Sequence, residues 1–383
     1  MNAPMRPLRL AMVVPSARRE GGGDIWLDQL LHQLSTPEIR PLVVFEEGGE
    51  LERCAASYDC HTTVLLKESS TGCDDVSGLV APLAGVLAAQ RPDVTVFWSP
   101  RAQLYGARAH RSAGQPGRTA WVQHVMPSTF WLHRDASTLP TDLVVCVSTA
   151  VRRRQQDLYP QHPTCVVHPG VPVPQSGLSR SAARMRLRYL DSRPLIGVVG
   201  RIEPWKGQDV AVAMLSELTS HGVDAHLVLL GQQRSPTWPE FGAEVQRRID
   251  ELGLSHQVTF VGHVHDVPAV LPALDVLVCA SREEGFGLAI VEAMATGIPV
   301  VTTACGGPAD VIDDELTGLL VPVEDPVALA EAVRRLLQRP AFAAQLTSRA
   351  RRVWQDRFTE VHSAEAFRAA VTDLGHINLL PTG

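Results

Sequence analysis

Lysine is almost missing from this chain. Lys67 and Lys206 are the only two among 383 residues, against 33 arginines, so a lysine kept at a strand–helix junction is informative. Paired cysteine is missing too. The seven cysteines are scattered at 54, 60, 73, 146, 165, 279 and 305, with no C-x-x-C. An odd, unclustered set argues against a disulfide framework or a zinc ribbon and reads as reduced, mostly buried thiols. No run approaches the roughly 20 apolar residues of a membrane span. Leu8–Val14 is too short for a secretory core and is followed by Pro15 and Arg18-Arg19 rather than a cleavage site, so a cytoplasmic location is expected. An excess of positive charge is also lacking. The net charge is −6, residues 1–175 are balanced, and the remainder carries the acidic excess. That leaves no basic face for nucleic acid. Arg152-Arg153-Arg154 reads first as a solvated helix face, and second as a weak peripheral contact with anionic lipid on the inner face of the membrane.

What is present is alternation. The length exceeds a single core, so two domains are the default. Short β-branched runs alternate with amphipathic stretches, the pattern of βαβ units and parallel sheets. Candidate strands in the first half are Leu8–Val14, Pro41–Glu46, Thr62–Leu66, Val94–Trp98, Thr119–His124, Leu143–Val147 and Cys165–His168. In the second they are Leu195–Val199, His226–Leu230, Val258–Val261, Val276–Cys279, Pro299–Thr303 and Leu319–Val321. Pro169, Gly170, Pro172 and Pro174 crowd between the halves. The fold class expected is α/β, two Rossmann-like doubly wound domains: residues 1–172, a linker over 173–193, residues 194–357, and a C-terminal helical segment over 358–383 that packs back on the first domain. Two such domains facing each other would put both carboxyl edges on one cleft.

Three places carry candidate chemistry. Gly200-Arg201-Ile202-Glu203-Pro204-Trp205-Lys206-Gly207 follows a strand and precedes a helix, where open α/β sheets bind ligands. A planar arginine fork beside a mobile lysine charge suits a diphosphate; the plain alternative is a surface ion pair with Glu203. Glu284 and Glu292 flank a second such junction. Gly285 and Gly287 allow close backbone approach, and the helix start near Gly287 offers N–H groups to an anion. Glu292 lies too deep in that helix to be a cap, so it is solvated, paired or bound to a ligand hydroxyl such as a ribose diol. In the first half, Gly21-Gly22-Gly23-Asp24 follows the first strand, with Asp24 as the expected N-cap, and His124 ends a strand with His133 nearby. A single strand-end histidine is more often structural than catalytic.

Several other chemistries are disfavoured. Ile290 stands where a dinucleotide fingerprint needs its third small residue, and no Gly-Lys-Ser/Thr occurs. There is no Asp-x-Asp to carry a divalent metal to a nucleotide diphosphate, and no zinc spacing among the histidines and cysteines.

Together the blocks resemble the retaining glycosyltransferases of the GT-B type, the group 1 or family 4-like enzymes with a C-terminal Glu-x7-Glu signature. The resemblance runs through the glycine loop 21–23, His124, Val147-Ser148 and His168-Pro169-Gly170-Val171. It continues through Gly200-Arg201…Lys206-Gly207, Val261-Gly262, Ser281…Glu284-Gly285-Phe286-Gly287…Glu292-Ala293-Met294-Ala295-x-Gly297-x-Pro299-Val300 and Gly306-Gly307. Ala280 stands where the family often has proline.

The resemblance implies a metal-independent hexosyltransferase, with no cofactor required, that uses a UDP- or GDP-sugar donor and a glycan, lipid-linked or small-molecule hydroxyl acceptor. Glycan, glycolipid or cell-envelope polysaccharide synthesis is the implied setting. It casts Arg201 and Lys206 as the diphosphate cations, Glu292 as the ribose ligand, and Glu284 as a contact to the transferred sugar beside the amides of Gly285, Phe286, Gly287 and Leu288. It casts Gly262 and His263 as a wall of the base pocket, and His124 with Gly22 and Gly23 as the N-terminal contribution. Pro127–Leu139 fits none of the blocks and is the candidate acceptor region. Two other readings stand beside this one: a nucleotide-sugar epimerase of similar shape, and a non-catalytic sugar-nucleotide-binding subunit.

Overall fold

A computed structural model describes residues 6–19, 21–66, 76–114, 117–174, 178–232 and 238–376. Lys67, Cys73, residues 175–177 of the expected linker and residues 377–383 lie outside them. The described cysteines are all free thiols. No helix among the described residues is long and apolar enough to cross a membrane.

All the candidate strands form, and they build two parallel sheets. The first contains β1 (Leu10–Val14), β2 (Leu42–Phe45), β3 (His61–Val64), β4 (Val94–Phe97), β5 (Arg118–Gln123), β6 (Leu143–Cys146) and β7 (Thr164–Val166), in the order β3-β2-β1-β4-β5-β6-β7. The second contains β8 (Leu195–Val199), β9 (His226–Leu230), β10 (Val258–Gly262), β11 (Val276–Cys279), β12 (Val300–Thr303) and β13 (Leu319–Val321), in the order β10-β9-β8-β11-β12-β13. Central strands such as β1 are buried along their whole length, as expected when helices cover both faces of a parallel sheet. In each sheet the chain moves outward from its first strand and then returns to that strand's other side. The loops after β1 and β4, and after β8 and β11, therefore diverge at the carboxyl edge, which is where doubly wound sheets hold ligands.

Two compact units result. One comprises the chain up to Gly170 together with Glu360 onward; the other is Val171–Thr359. The helix Glu360–His376 belongs to the first. Its Ser363 hydroxyl accepts a hydrogen bond from Trp26 Nε1 at 2.9 Å, and the fully buried Phe367 ring sits 6.3 Å from Trp26 and 6.1 Å from Trp98. The second unit closes on itself through Val171, whose N–H donates to Phe358 O and whose carbonyl accepts from Trp354 Nε1.

Within the stretch read as a linker, Arg180–Arg186 is a helix. Ser179 caps it, and Arg180 and Arg184, one turn apart, both grip Asp275 at the foot of β11, at 2.5 and 3.0 Å. Cap and ion pairs explain why a proline-punctuated segment becomes ordered structure in the second unit. Further helices that the sequence reading does not mark are Glu50–Ser57, Pro100–Ser112, Trp131–Ser137, Val267–Val270, Pro308–Val311 and Pro340–Arg357. Pro100–Ser112 starts on a legible signal, since Ser99 Oγ accepts the Ala102 N–H and Pro100 occupies the first turn.

Candidate functional site

The loop after β8 is shaped by one close approach. Gly207 has φ 66°, and a Cβ there would lie 2.0 Å from the Ala280 carbonyl oxygen, so only glycine lets this loop pass the end of β11. Pro204–Lys206 forms a single 3-10 turn between Glu203 and Gly207. Its lysine reaches across, and Lys206 Nζ meets Glu284 Oε2 at 2.5 Å. Burial alone would push the ammonium pKa down. The charge of Glu284, reinforced by Cys279 and by the hydrogen bond to Glu284, more than offsets this, and the pKa stands above its ordinary value. Arg201 is half-exposed and touches the buried Glu203 at 3.4 Å. Its carbonyl is held by the buried Gln208 amide at 2.9 Å.

The loop after β11 is anchored by β12 and the turn beyond it. Thr303 Oγ1 donates to Ser281 O at 2.5 Å, and Gly307 N–H donates to Glu284 O at 3.0 Å. Phe286 is only 4% exposed and packs edge-on against Phe358 at 5.9 Å. Its ring is therefore core, which leaves the backbone N–H groups of this loop as its means of contacting a ligand. Gly287, at φ 99°, opens the helix Leu288–Thr296, and no side chain caps that helix.

Glu292 sits in the second turn of the same helix, 6% exposed. No hydrogen-bonding partner for its carboxyl group is found among the described residues. Burial, with help from Asp266, pushes its pKa up to about 8. A buried carboxyl with no partner is costly, and its lone pairs suit a donor that arrives with a ligand. Asp266 itself caps the short helix Val267–Val270. Before it, Gly262 ends β10 at φ 82° with its carbonyl accepting from Gly231 N–H, and the exposed rings of His263 and His265 lie 4.6 Å apart.

In the first unit the turn after β1 faces the end of β5. A Cβ on Gly23 would lie 3.3 Å from His124 Cδ2, and Trp98 Nε1 donates to the Gly23 carbonyl at 3.2 Å. Gly21, rather than Asp24, is the N-cap of the helix Gly22–Leu34. Asp24 occupies the third helical position and reaches back to the Gly21 N–H at 3.0 Å, the reciprocal half of a capping box. His124 keeps a partly exposed edge while its Nδ1 is enclosed. Burial, then the nearby His133, pushes its pKa down to about 4, so its ring is neutral near pH 7. His133 has a local task, its Nδ1 accepting the Ser128 N–H at 2.9 Å. That bond, with Tyr159 OH on Ser128 O at 2.7 Å and Arg154 on Pro127 O at 3.4 Å, orders the Pro127–Leu139 segment. Phe130 and Trp131 are left exposed there.

Known proteins match both the sequence and the fold. Residues 193–339 match the family model described as "Glycosyl transferases group 1". Over that segment the chain resembles the group 1 glycosyltransferases. The mannosyltransferase LpsB of lipopolysaccharide core biosynthesis in Rhizobium meliloti is 32% identical over 173 residues, 44% of this chain and 49% of its own length. D-inositol 3-phosphate glycosyltransferase from Xylanimonas cellulosilytica is 31% identical over 281 residues, 70% of this chain and 64% of its own length. The chain spans about half the length of the first of these relatives. In fold, Anabaena HepE solved with UDP and glucose superposes with a TM-score of 0.83 at 21% identity, covering 95% of this chain and 99% of that one. The glycosyltransferase WaaG, involved in lipopolysaccharide biosynthesis, superposes with a TM-score of 0.74 at 17% identity, covering 98% and 100%. The architecture is that of the GT-B glycosyltransferases.

The matched glycosyltransferase segment includes all the second-unit residues singled out from sequence. On the carboxyl edge of its sheet stand Arg201, Lys206, Glu284, Gly285 to Leu288, Glu292, Gly262 and His263. Gly22, Gly23 and His124 gather on the corresponding edge of the first unit. The sequence reading missed Arg282. Its guanidinium donates to Asp209 at 2.7 and 3.0 Å, to Glu324 at 2.7 Å and to Pro204 O at 2.5 Å. An arginine inside a motif and an aspartate in the first turn of the helix Gln208–Ser220 are both visible in sequence; that they meet is not. Among the described residues no group of three or more His, Cys, Asp or Glu is arranged to hold a metal.

Proposed function

We propose that this chain transfers a hexosyl unit from a UDP- or GDP-sugar to a hydroxyl acceptor, with retention at the anomeric carbon and without a metal ion. The observation that carries the reading is the second unit's sheet edge. A lysine locked on Glu284 and a buried Glu292, without a hydrogen-bonding partner among the described residues, stand on loops and a helix at the switch point of a segment that matches the group 1 glycosyltransferases. HepE, of the same fold, was solved with UDP and glucose, which supports a nucleotide-sugar donor here.

In this reading Glu292 accepts hydrogen bonds from the ribose hydroxyls, and Gly262 and His263 border the base. Lys206 and Arg201 face the diphosphate. Glu284 and the amides of Gly285, Phe286, Gly287 and Leu288 contact the transferred sugar. In the first unit, the neutral His124 ring is suited to hydrogen-bond a sugar hydroxyl beside the glycine turn of Gly22 and Gly23, and that is its proposed role. The glycosyl C–O bond breaks with its electron pair moving to the diphosphate, where fixed cations stabilise the growing charge most strongly in the transition state. The acceptor oxygen bonds to the anomeric carbon on the same face and its proton passes to a diphosphate oxygen, so no separate general base is needed. The acceptor is a glycan, a lipid-linked sugar or a small-molecule hydroxyl compound, a range in keeping with relatives named for lipopolysaccharide core biosynthesis and for D-inositol 3-phosphate.

Two measurements test this. A melting-temperature panel with UDP, GDP, ADP and their sugars identifies the donor, since binding to the folded state raises apparent stability with affinity. If no nucleoside diphosphate shifts the transition, the donor reading is wrong. Transfer with the identified donor is expected to persist in excess EDTA, and a strict need for Mn²⁺ or Mg²⁺ would remove the metal-free mechanism.

A further inference from the structure

We propose that Arg282, acting with Asp209, is the positioning residue that sets Lys206 against Glu284. This rests on the reading of Lys206 as a diphosphate-facing cation. Lys206 is carried on one 3-10 turn, within which, among the described residues, Lys206 N–H donates to Glu203 O at 2.9 Å and Gly207 N–H to Pro204 O at 3.3 Å, while the Trp205 ring meets Trp238 edge-on at 5.8 Å. Arg282 adds hydrogen bonds from the neighbouring loop. Its N–H donates to Trp205 O at 2.7 Å, with Glu283 N–H on the same oxygen at 3.4 Å, and its Nη1 donates to Pro204 O at 2.5 Å. The guanidinium also forks onto both carboxylate oxygens of Asp209, two residues beyond Gly207. Glu284 lies two residues beyond Arg282. One side chain and its backbone thus join the carriers of both members of the Lys206–Glu284 pair.

The charge on Arg282 is already committed. Asp209 and Glu324 take both terminal nitrogens and Nε, and these ion pairs, Asp209 first, hold its pKa above the ordinary value. Arg201 is different, half-exposed and, among the described residues, paired through its side chain only with Glu203 at 3.4 Å. Arg282 therefore serves as a strut rather than a cation offered to a ligand. A planar fork can bond two carboxylate oxygens and a carbonyl at once, which an ammonium on a flexible stem cannot reproduce. Small misplacements of catalytic charge are costly in rate.

The experiment uses the full chain with the donor identified by the melting panel. Arg282→Gln, Arg282→Lys and Asp209→Asn are each expected to lower kcat by on the order of 10- to 100-fold while the donor KM moves less. The lysine variant should fail to rescue. In the Lys206→Ala background, Arg282→Gln should cost little more. Equal losses in both backgrounds, wild-type kcat in Arg282→Gln, or full rescue by lysine would each overturn the inference. If Arg282→Gln does not fold, Asp209→Asn carries the same test. Unchanged turnover and diphosphate affinity in Lys206→Ala alone would instead overturn the reading of Lys206 itself, whatever Arg282 does.

Discussion

The two sheets share one winding but finish their carboxyl edges in different materials. After β8 and β11 the edge is tied by charge: Lys206 with Glu284, Arg282 with Asp209 and Glu324, Arg201 with Glu203. After β1 and β5, the contacts around Gly23 and His124 are aromatic rings and backbone, with Trp98 on the Gly23 carbonyl and Trp26 tilted against Trp98 at 4.9 Å. Ion pairs already in place before a ligand arrives cost no reorganisation when negative charge develops, the condition under which electrostatic stabilisation is strongest. The neutral cluster around Gly23 and His124 lacks that capacity, and the ion pairs of this edge, Arg19 with Asp28 and Arg101 with Glu46, lie on other parts of it. The cluster offers shape and hydrogen bonding, which suits recognition of uncharged hydroxyl groups.

If the first edge depends on packing, its largest sensitivity is to a cavity. Phe367 is fully buried against Trp26 and Trp98, so Phe367→Ala should cost about 3–5 kcal/mol in chemical denaturation. A loss below about 1 kcal/mol would mean the C-terminal helix contributes little to that unit. If the second edge depends on charge, Lys206→Ala should lower turnover by on the order of 10²-fold, equivalent to about 2.7 kcal/mol of transition-state stabilisation. The melting temperature, measured alongside, should fall only modestly. A variant with wild-type turnover would erase the contrast between the two edges.

How far these edges were legible from sequence follows the same division. The strand–loop–helix junctions could be read because an apolar run ending in Gly, Arg, Lys or Glu is a local signal. Gly207 and the Lys206–Glu284 region stood out for that reason. What could not be read depends on partners distant in sequence. Trp26 meets Ser363 across 337 positions, and Arg282 meets Asp209 across 73. Periodicity is blind to such meetings. Phe286 shows the limit within a motif, since its neighbours suggest a ligand loop while its ring is spent on Phe358. The helix Arg180–Arg186 shows it outside one, because the Asp275 that holds it is about 90 residues away.

The smallest expected effect is the most discriminating, because it involves a carboxyl group on the second edge for which no hydrogen-bonding partner is found among the described residues. Glu292 has its pKa raised to about 8 from an ordinary value of 4.5, by burial and then Asp266. Between these values the unfolded chain has released the proton and the folded chain keeps it. Stability is therefore lost as pH rises from 4.5 to 8, and the penalty is complete above that. His124, pushed down to about 4 from 6.5 on the first edge, has the opposite sign, with stability lost as pH falls through that window. Glu292→Gln cannot ionise. It should match the parent near pH 4.5 and melt a few degrees higher at pH 8.5, while affinity for the donor nucleotide falls about tenfold, the worth of one hydrogen bond to a charged group. Higher stability with weaker binding is what a group retained for a ligand at the fold's expense would give. Lower stability at pH 8.5 would show that Glu292 is satisfied within the protein. Unchanged nucleotide affinity would remove it from the donor site.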